Sequence, residues 1–245
     1  MERQSVMLIL RYLAFVLFFL CAALLCVMLA YRINRSPGLA LESISPAENA
    51  LSRRICFVLD AGHGGMDGGA SGAGGEVEKE INLAVAARLA DLSEVMGMNA
   101  VMTREEDVML SDGGTGSRKM QDLRFRMQLG EAYPDAFFIS IHCNKFPDAR
   151  YSGLQVYYSP NDGRSRALAS AIQEGAHVYL DAENSREIKE AGSNIYLMYH
   201  IATPAVLGEC GFLSNEAEAA LLSGANYQQR LSAVILSAAA GQRNA

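Results

Sequence analysis

The chain holds four histidines, His63, His142, His177 and His200, and two of them stand where short apolar runs stop. His63 follows VLDAG, and His142 closes FFISIH. In open α/β sheets ligands gather outside the carboxyl ends of strands, so both imidazoles are expected to face one crevice. Neither belongs to an H-E-x-x-H helix, which excludes that metallopeptidase pattern. Two imidazoles and one carboxylate make a catalytic zinc site with a fourth position open to water. Glu78 is the third donor by position, because it follows the glycine loop and begins the next helix. Hydrolysis also needs an acid to take a proton from water and pass it to a leaving amine. Glu209, closing the run PAVLGE, is the candidate. Beside so apolar a strand, its carboxylate is expected to be partly buried and to need a partner. Each residue has a plainer alternative that spacing leaves open. A strand-end histidine is often a hydrogen-bonded loop residue, a first-turn glutamate a favourable helix charge, and Glu209 a surface carboxylate. His177, inside a helical stretch, and His200, in a polar loop, are read as non-ligands.

The elements that must position these residues alternate along the chain. ICFVLD at 55–60 reads as a buried strand, followed by the glycine-rich AGHGGMDGGASGAGG. A helix is expected over 80–96, with Ile81, Val85, Leu89, Leu92 and Met96 on one stripe. Further strands are expected at 100–104, 136–142, 154–159, 195–198 and 205–210. Helices are expected at 119–131 and 162–179, with one or two more over 216–240. The loop around 106–117, with Asp107, Asp112 and three glycines, either lines or gates the groove or is a simple surface loop. Alternation of strands and helices predicts a single α/β domain: a mostly parallel twisted sheet covered by helices on both faces.

The 245 residues suffice for one domain with a substantial core and not for two large ones. A formal charge of -6, with no dense basic patch, gives no support for nucleic-acid binding. Cys56, Cys143 and Cys210 are too widely spaced for a disulfide framework and read as small buried hydrophobes on strands. A disulfide or metal-site role for Cys143 or Cys210, each next to a candidate site residue, stays open.

Residues 12–31, YLAFVLFFLCAALLCVMLAY, contain no charge and match the length needed to cross a bilayer. The run is long for a signal-peptide core and no small-x-small cleavage site follows, so an uncleaved transmembrane anchor is preferred. Arginines flank both ends and leave orientation unfixed. The expected layout is an anchor or uncleaved signal at 1–32, a linker at 33–52 and the catalytic domain at 53–245.

Taken in order, LDAGHGGMDGGASGAGG, EKEINLAVAARLA, VMTREED, LRFRMQL, FFISIHCN, GLQVYY and PAVLGECGFLSNEAE resemble the zinc-dependent N-acetylmuramoyl-L-alanine amidases of the type-3 class. The resemblance covers roughly residues 54–240. It implies zinc on His63, Glu78 and His142, with Glu209 as the catalytic glutamate. It also implies a peptidoglycan substrate, cut between N-acetylmuramic acid and L-alanine. Arg126 matches an arginine before the S-I-H strand that supports the site or its substrate, and Asn144 matches an asparagine after the second histidine. Departures are Ala61 in a usual proline slot, Gly130 in a usual asparagine slot, and cysteines at 143 and 210. The anchor, the single-domain layout and the absence of a wall-binding module resemble the membrane-anchored spore-cortex, germination-specific amidases. That implies a single-pass protein of the cell membrane, in the forespore or spore envelope, whose catalytic domain faces outward. Whether an activator protein is required is left open. Rivals are a zinc hydrolase of another wall amide, a degenerate amidase fold used for wall binding or regulation, and a membrane structural protein. The last explains the anchor but not the polar motifs.

Overall fold

The computed structural model describes residues 55–243 except Asp112. The chain divides after Leu51 into two units, and the described residues all belong to the second. The expected anchor and linker lie outside them. Among the described residues no helix is long and apolar enough to cross a membrane.

Six strands form one sheet: β1 (Ile55–Ala61), β2 (Asn99–Met102), β3 (Phe137–Asn144), β4 (Gln155–Tyr158), β5 (Lys189–Glu190) and β6 (Ala205–Phe212), in the order β2-β1-β3-β6-β4-β5. All neighbours are parallel except β4 and β6. The sheet is therefore mixed, with its parallel half holding β1, β3 and the strand β6 that enters between β3 and β4. Six helices connect and cover it: α1 (Glu78–Val95), α2 (Arg118–Glu131), α3 (Gly163–Tyr179), α4 (Tyr196–His200), α5 (Glu216–Ser223) and α6 (Ala225–Arg243).

Strand side chains alternate between two apolar clusters, as the pleat requires. On one face Phe57, Leu59, Phe137, Ile139, Ile141, Val206 and Cys210 pack with Val85 and Leu89 of α1, Leu168 and Ile172 of α3, and Leu231 and Ile235 of α6. On the other face Val58, Phe138, Ala205 and Leu207 pack with Leu197 and Met198 of α4, while Leu123 and Met127 of α2 flank them. Toward the carboxyl ends of the strands this second face turns polar, at Asp60, Ser140, His142 and Glu209. The switch marks the functional end of the sheet.

Two expectations fail locally. Residues 196–200 are helical, not a strand. The run IYLMY is short and wholly apolar, so it has no period to separate strand from one helical turn. Met96 is the C-cap of α1 and is 52% exposed, so the buried stripe ends earlier. The tail forms two helices, and Gly175 of α3 stands where an added Cβ would come 3.0 Å from Val234 Cγ1 of α6. That close approach explains a glycine inside a helix. Cys56, Cys143 and Cys210 are buried and free.

Candidate active site

Three segments bring the candidate residues together at the carboxyl edge of the sheet. β1 ends at Ala61, and the Gly62 N–H donates to the Ile141 carbonyl (3.1 Å), carrying the strand pairing one residue further. His63 then takes a left-handed conformation (φ 61°), unusual for a residue with a side chain. Surrounding contacts fix it there. Arg126 Nη2 donates to the His63 carbonyl at 2.7 Å, and the His63 ring packs edge-on against that of His142, 4.9 Å between centroids. Gly62 has to be a glycine, since a Cβ there would enter the His142 ring.

Glu78 is placed by an uncapped helix. The N-cap of α1, Val77, offers no side-chain acceptor. The loop supplies the acceptors instead: Glu78 N–H donates to the Ala70 carbonyl (2.9 Å) and Lys79 N–H to that of Gly68 (3.2 Å). The Glu78 side chain can then point into the site. Its Oε1 lies 3.1 Å from His63 Nε2 and 3.0 Å from His142 Nδ1. Its two oxygens also accept backbone N–H bonds, Oε1 from Cys143 (3.1 Å) and Oε2 from Ala70 (2.7 Å). Burial pushes this carboxyl up, but hydrogen bonds and charge from His142 and His63 outweigh it and hold it far below the usual carboxylate range. Burial lowers the His63 pKa, yet Glu78 and Asp67 together raise it above its ordinary value.

The donor set suits a small divalent ion. One ligand atom from each of His63, Glu78 and His142 lies within 4.8 Å of the other two, the one such group found among the described residues. Tetrahedral zinc with nitrogen and oxygen ligands at about 2.0–2.1 Å puts adjacent ligand atoms about 3.3 Å apart. The two Glu78–imidazole distances come close to that edge. His63 also has a second contact: Nδ1 stands 3.0 Å from Asp67 Oδ2, at ion-pair range but without hydrogen-bond alignment. A carboxylate behind a ligating imidazole fixes ring orientation and basicity.

Glu209 stands beside this group, not in it. It pairs in register with His142 across β3 and β6, so both side chains leave the sheet on one face. Its Oε2 is buried with no hydrogen-bond partner. Burial raises its pKa, opposed by His142, reinforced by Glu78 and opposed again by His63. A carboxyl with a buried, unpartnered oxygen beside a cation cradle has the setting in which proton exchange is chemically possible.

Behind the cradle lies a charged scaffold. Arg126, 2% exposed, donates to Asp60 (2.6 Å), the Ala61 carbonyl (2.7 Å) and Asp122 (2.7 Å) as well as to His63. Asp60 also accepts from Ser140 (2.6 Å) and Thr103 (2.8 Å). Arg126 thus supports the loop from within and lies below the cleft. Asn144 ends β3 with its carbonyl accepting from Leu213 N–H (2.8 Å). Sequence reasoning gave no role to Arg104, Asn82, Asp67 or Glu218. Arg104 donates to the carbonyls of Ala61, Gly62 and Lys79. Asn82 Nδ2 donates to the Gly62 carbonyl and lies 3.4 Å from Glu78 Oε1. Glu218 accepts from Phe212 N–H (2.7 Å) and Gly153 N–H (2.8 Å), beside the irregular pairing that follows Glu209. The signal available for each was a polar residue one helical turn or a few positions from a motif. Asp107 accepts from Lys79 (2.6 Å) and Gly65 N–H (2.7 Å), tying its loop to the glycine loop. His177 bonds the Asn184 carbonyl and His200 packs on Tyr196 and Tyr199, both away from the cradle.

A mixed sheet covered by helices, with two histidines and two glutamates gathered at one end of it, is a layout suited to a hydrolase with a candidate ion-binding centre. The chain belongs to the N-acetylmuramoyl-L-alanine amidase family, whose model matches residues 57–240, and it is an N-acetylmuramoyl-L-alanine amidase. It is 38% identical over 197 residues to the germination-specific N-acetylmuramoyl-L-alanine amidase of Bacillus subtilis (strain 168), covering 79% of this chain and 81% of that one. It is 26% identical over 231 residues to the amidase AmiA of Escherichia coli (strain K12), covering 77% and 76%. Its fold is similar to the CwlD amidase from Clostridioides difficile, solved in complex with the GerS lipoprotein. There the TM-score is 0.71 and the identity 34%, over 77% of this chain and 98% of that one.

Proposed function

We propose that this amidase cuts the muramyl–L-alanine amide of spore-cortex peptidoglycan with a zinc ion held by His63, Glu78 and His142, and with Glu209 as general acid and base. The observation that carries the reading is the position of Glu209: in register with His142, unpaired, and facing the cradle. The chemistry such an ion supplies is polarisation of the scissile carbonyl and a water acidic enough to attack near neutral pH.

The protein's own groups do the rest. Glu78 stays ionised and holds both imidazoles toward one point, while Asp67 and Arg126 fix the His63 segment. Glu209 takes a proton from the attacking water. As the carbon–oxygen bond forms and the carbon–nitrogen bond breaks, it returns that proton to the alanine nitrogen. The products are a lactyl carboxylic acid and a free amine. A raised carboxyl pKa favours this double use, because the group then binds a proton more readily near working pH.

The likeness to a germination-specific amidase supports the cortex as substrate. Since that polymer lies outside the membrane, residues 12–31 would anchor a domain facing outward. The GerS complex of the similar CwlD supports a lipoprotein partner for this chain as well.

Full-length protein in detergent should release alanine amino termini from purified cortex peptidoglycan. The release should stop with a chelator, return with zinc, and fall by about a hundredfold or more in Glu209→Gln. Release that persists both under chelation and in that variant overturns the mechanism.

A further inference from the structure

One cation near the site has no task in the scheme above. Arg186 lies in the segment leading to β5. Its Nε donates to the Ser152 carbonyl (2.7 Å), and Nη1 stands 3.5 Å from Gln155 Oε1. Its guanidinium carbon lies 4.5 Å from the centroid of the Phe212 ring and 5.6 Å from that of Tyr151. All these partners are neutral, and Nη2 donates to none of the described residues. Glu218, the carboxylate on which Arg186 exerts a pKa-lowering charge effect, already accepts from Phe212 and Gly153.

Its place matters more than its charge alone. Gln155 is the direct cross-strand partner of Glu209 in the antiparallel pairing of β4 with β6. Partners of that kind leave the sheet on one face with Cβ atoms about 4.5–5.5 Å apart. The side chain that Arg186 approaches is therefore the immediate neighbour of the proposed acid and base. Cation–π contact with two rings and the bond to Ser152 restrain the guanidinium, and its remaining N–H groups can take a carboxylate in bidentate fashion. The substrate brings such a group, because the peptide stem that starts at L-alanine carries free carboxylates beyond it.

We infer that Arg186 is a specificity-determining residue that binds a stem carboxylate, held over Phe212 and Tyr151 so that the muramyl–alanine bond lies between Glu209 and the His63–Glu78–His142 cradle. The inference rests on the amidase activity and adds an acidic-peptide subsite to it.

Full-length protein in detergent tests it on soluble glycan–peptide fragments whose stem carboxylates are free or converted to carboxamides. Wild type should favour the free-carboxylate fragment in kcat/KM by about tenfold or more, a difference of one ion pair, and the preference should reside in KM. Arg186→Gln should bring the ratio of the two substrates to near one, and Arg186→Lys should restore part of it. A packing role alone would lower both substrates in proportion and leave the ratio unchanged, which overturns the inference. Wild type that cleaves both fragments equally overturns it too, with the amidase activity intact. Wild type that cleaves neither removes the activity and the inference together.

Discussion

His142 and Glu209 face each other across the parallel pairing of β3 and β6 and leave the sheet on the same side. One imidazole belongs to the cradle, while the opposite carboxyl has an oxygen without a partner. A single step in strand register would turn Glu209 into the opposite apolar cluster. Strand register therefore sets the spacing of Glu209 and His142, while the glycine loop places His63 and Glu78.

Glu209→Gln should keep the shape of the site and lose its proton transfer. Turnover should fall by about 10²–10⁴, the usual worth of a general acid or base. Zinc content, measured by atomic spectroscopy, should match wild type. A variant that loses its metal instead would make Glu209 a ligand.

Chelation should lower the thermal midpoint as well as activity, because an ion that binds only the native state stabilises it by mass action. Glu78→Ala should show the lower midpoint from the start and not respond to added zinc. Calorimetry with and without the chelator makes the comparison.

Gly62→Ala should be selectively harmful. The new methyl meets the His142 ring, so that ring must move. Metal affinity and activity should drop together while circular dichroism keeps the helical signal. Near-normal zinc binding in this variant would show that His142 has room to shift.

Arg126→Met removes the cation from beneath Asp60 and Asp122 and leaves buried carboxylates uncompensated. Loss of one partner of a buried pair costs about 3–5 kcal/mol, and chemical denaturation should show a loss of that size. Lysine should not rescue it, since one ammonium cannot reproduce the fork that also reaches the Ala61 and His63 carbonyls.

Acid should unfold the domain through Asp60. Burial raises its pKa, but Arg126, Ser140 and His142 outweigh that effect and hold it below the ordinary value. A carboxyl with a depressed folded-state pKa stabilises above its unfolded value, about 3.9, and that stability is lost as pH falls through the folded value. In chelator, denaturation midpoints should therefore decline below about pH 4. The decline should be shallower in Asp60→Asn.

The sequence carried the strands of the site well, because buried runs such as VLD and FFISI need no partner to be recognised as apolar. It also carried His63, Glu78, His142 and Glu209 as candidates, since each sits next to such a run or to the glycine loop. It did not carry the supports. Arg104 and Asn82 act by donating to backbone carbonyls, and any polar residue near a strand end or in a helix looks alike from composition. β5 is only Lys189 and Glu190, with no apolar pattern to announce it, and its pairing with β4 comes from tertiary placement. Arg186 escaped notice for a related reason, as its ring partners Tyr151 and Phe212 are distant in sequence.

The late strand β6 enters the sheet between β3 and β4, both made much earlier in the chain. β3 and β4 do not pair with each other, so the sheet closes between them only when residues 205–212 are in place. Only then does Glu209 meet His142. A chain ending before β6 would hold both histidines and lack Glu209, so the cluster of four residues is complete only with the late strand in place. Strand order thus gives a cell-wall hydrolase in which the proposed acid and base is the last of the four site residues to be made.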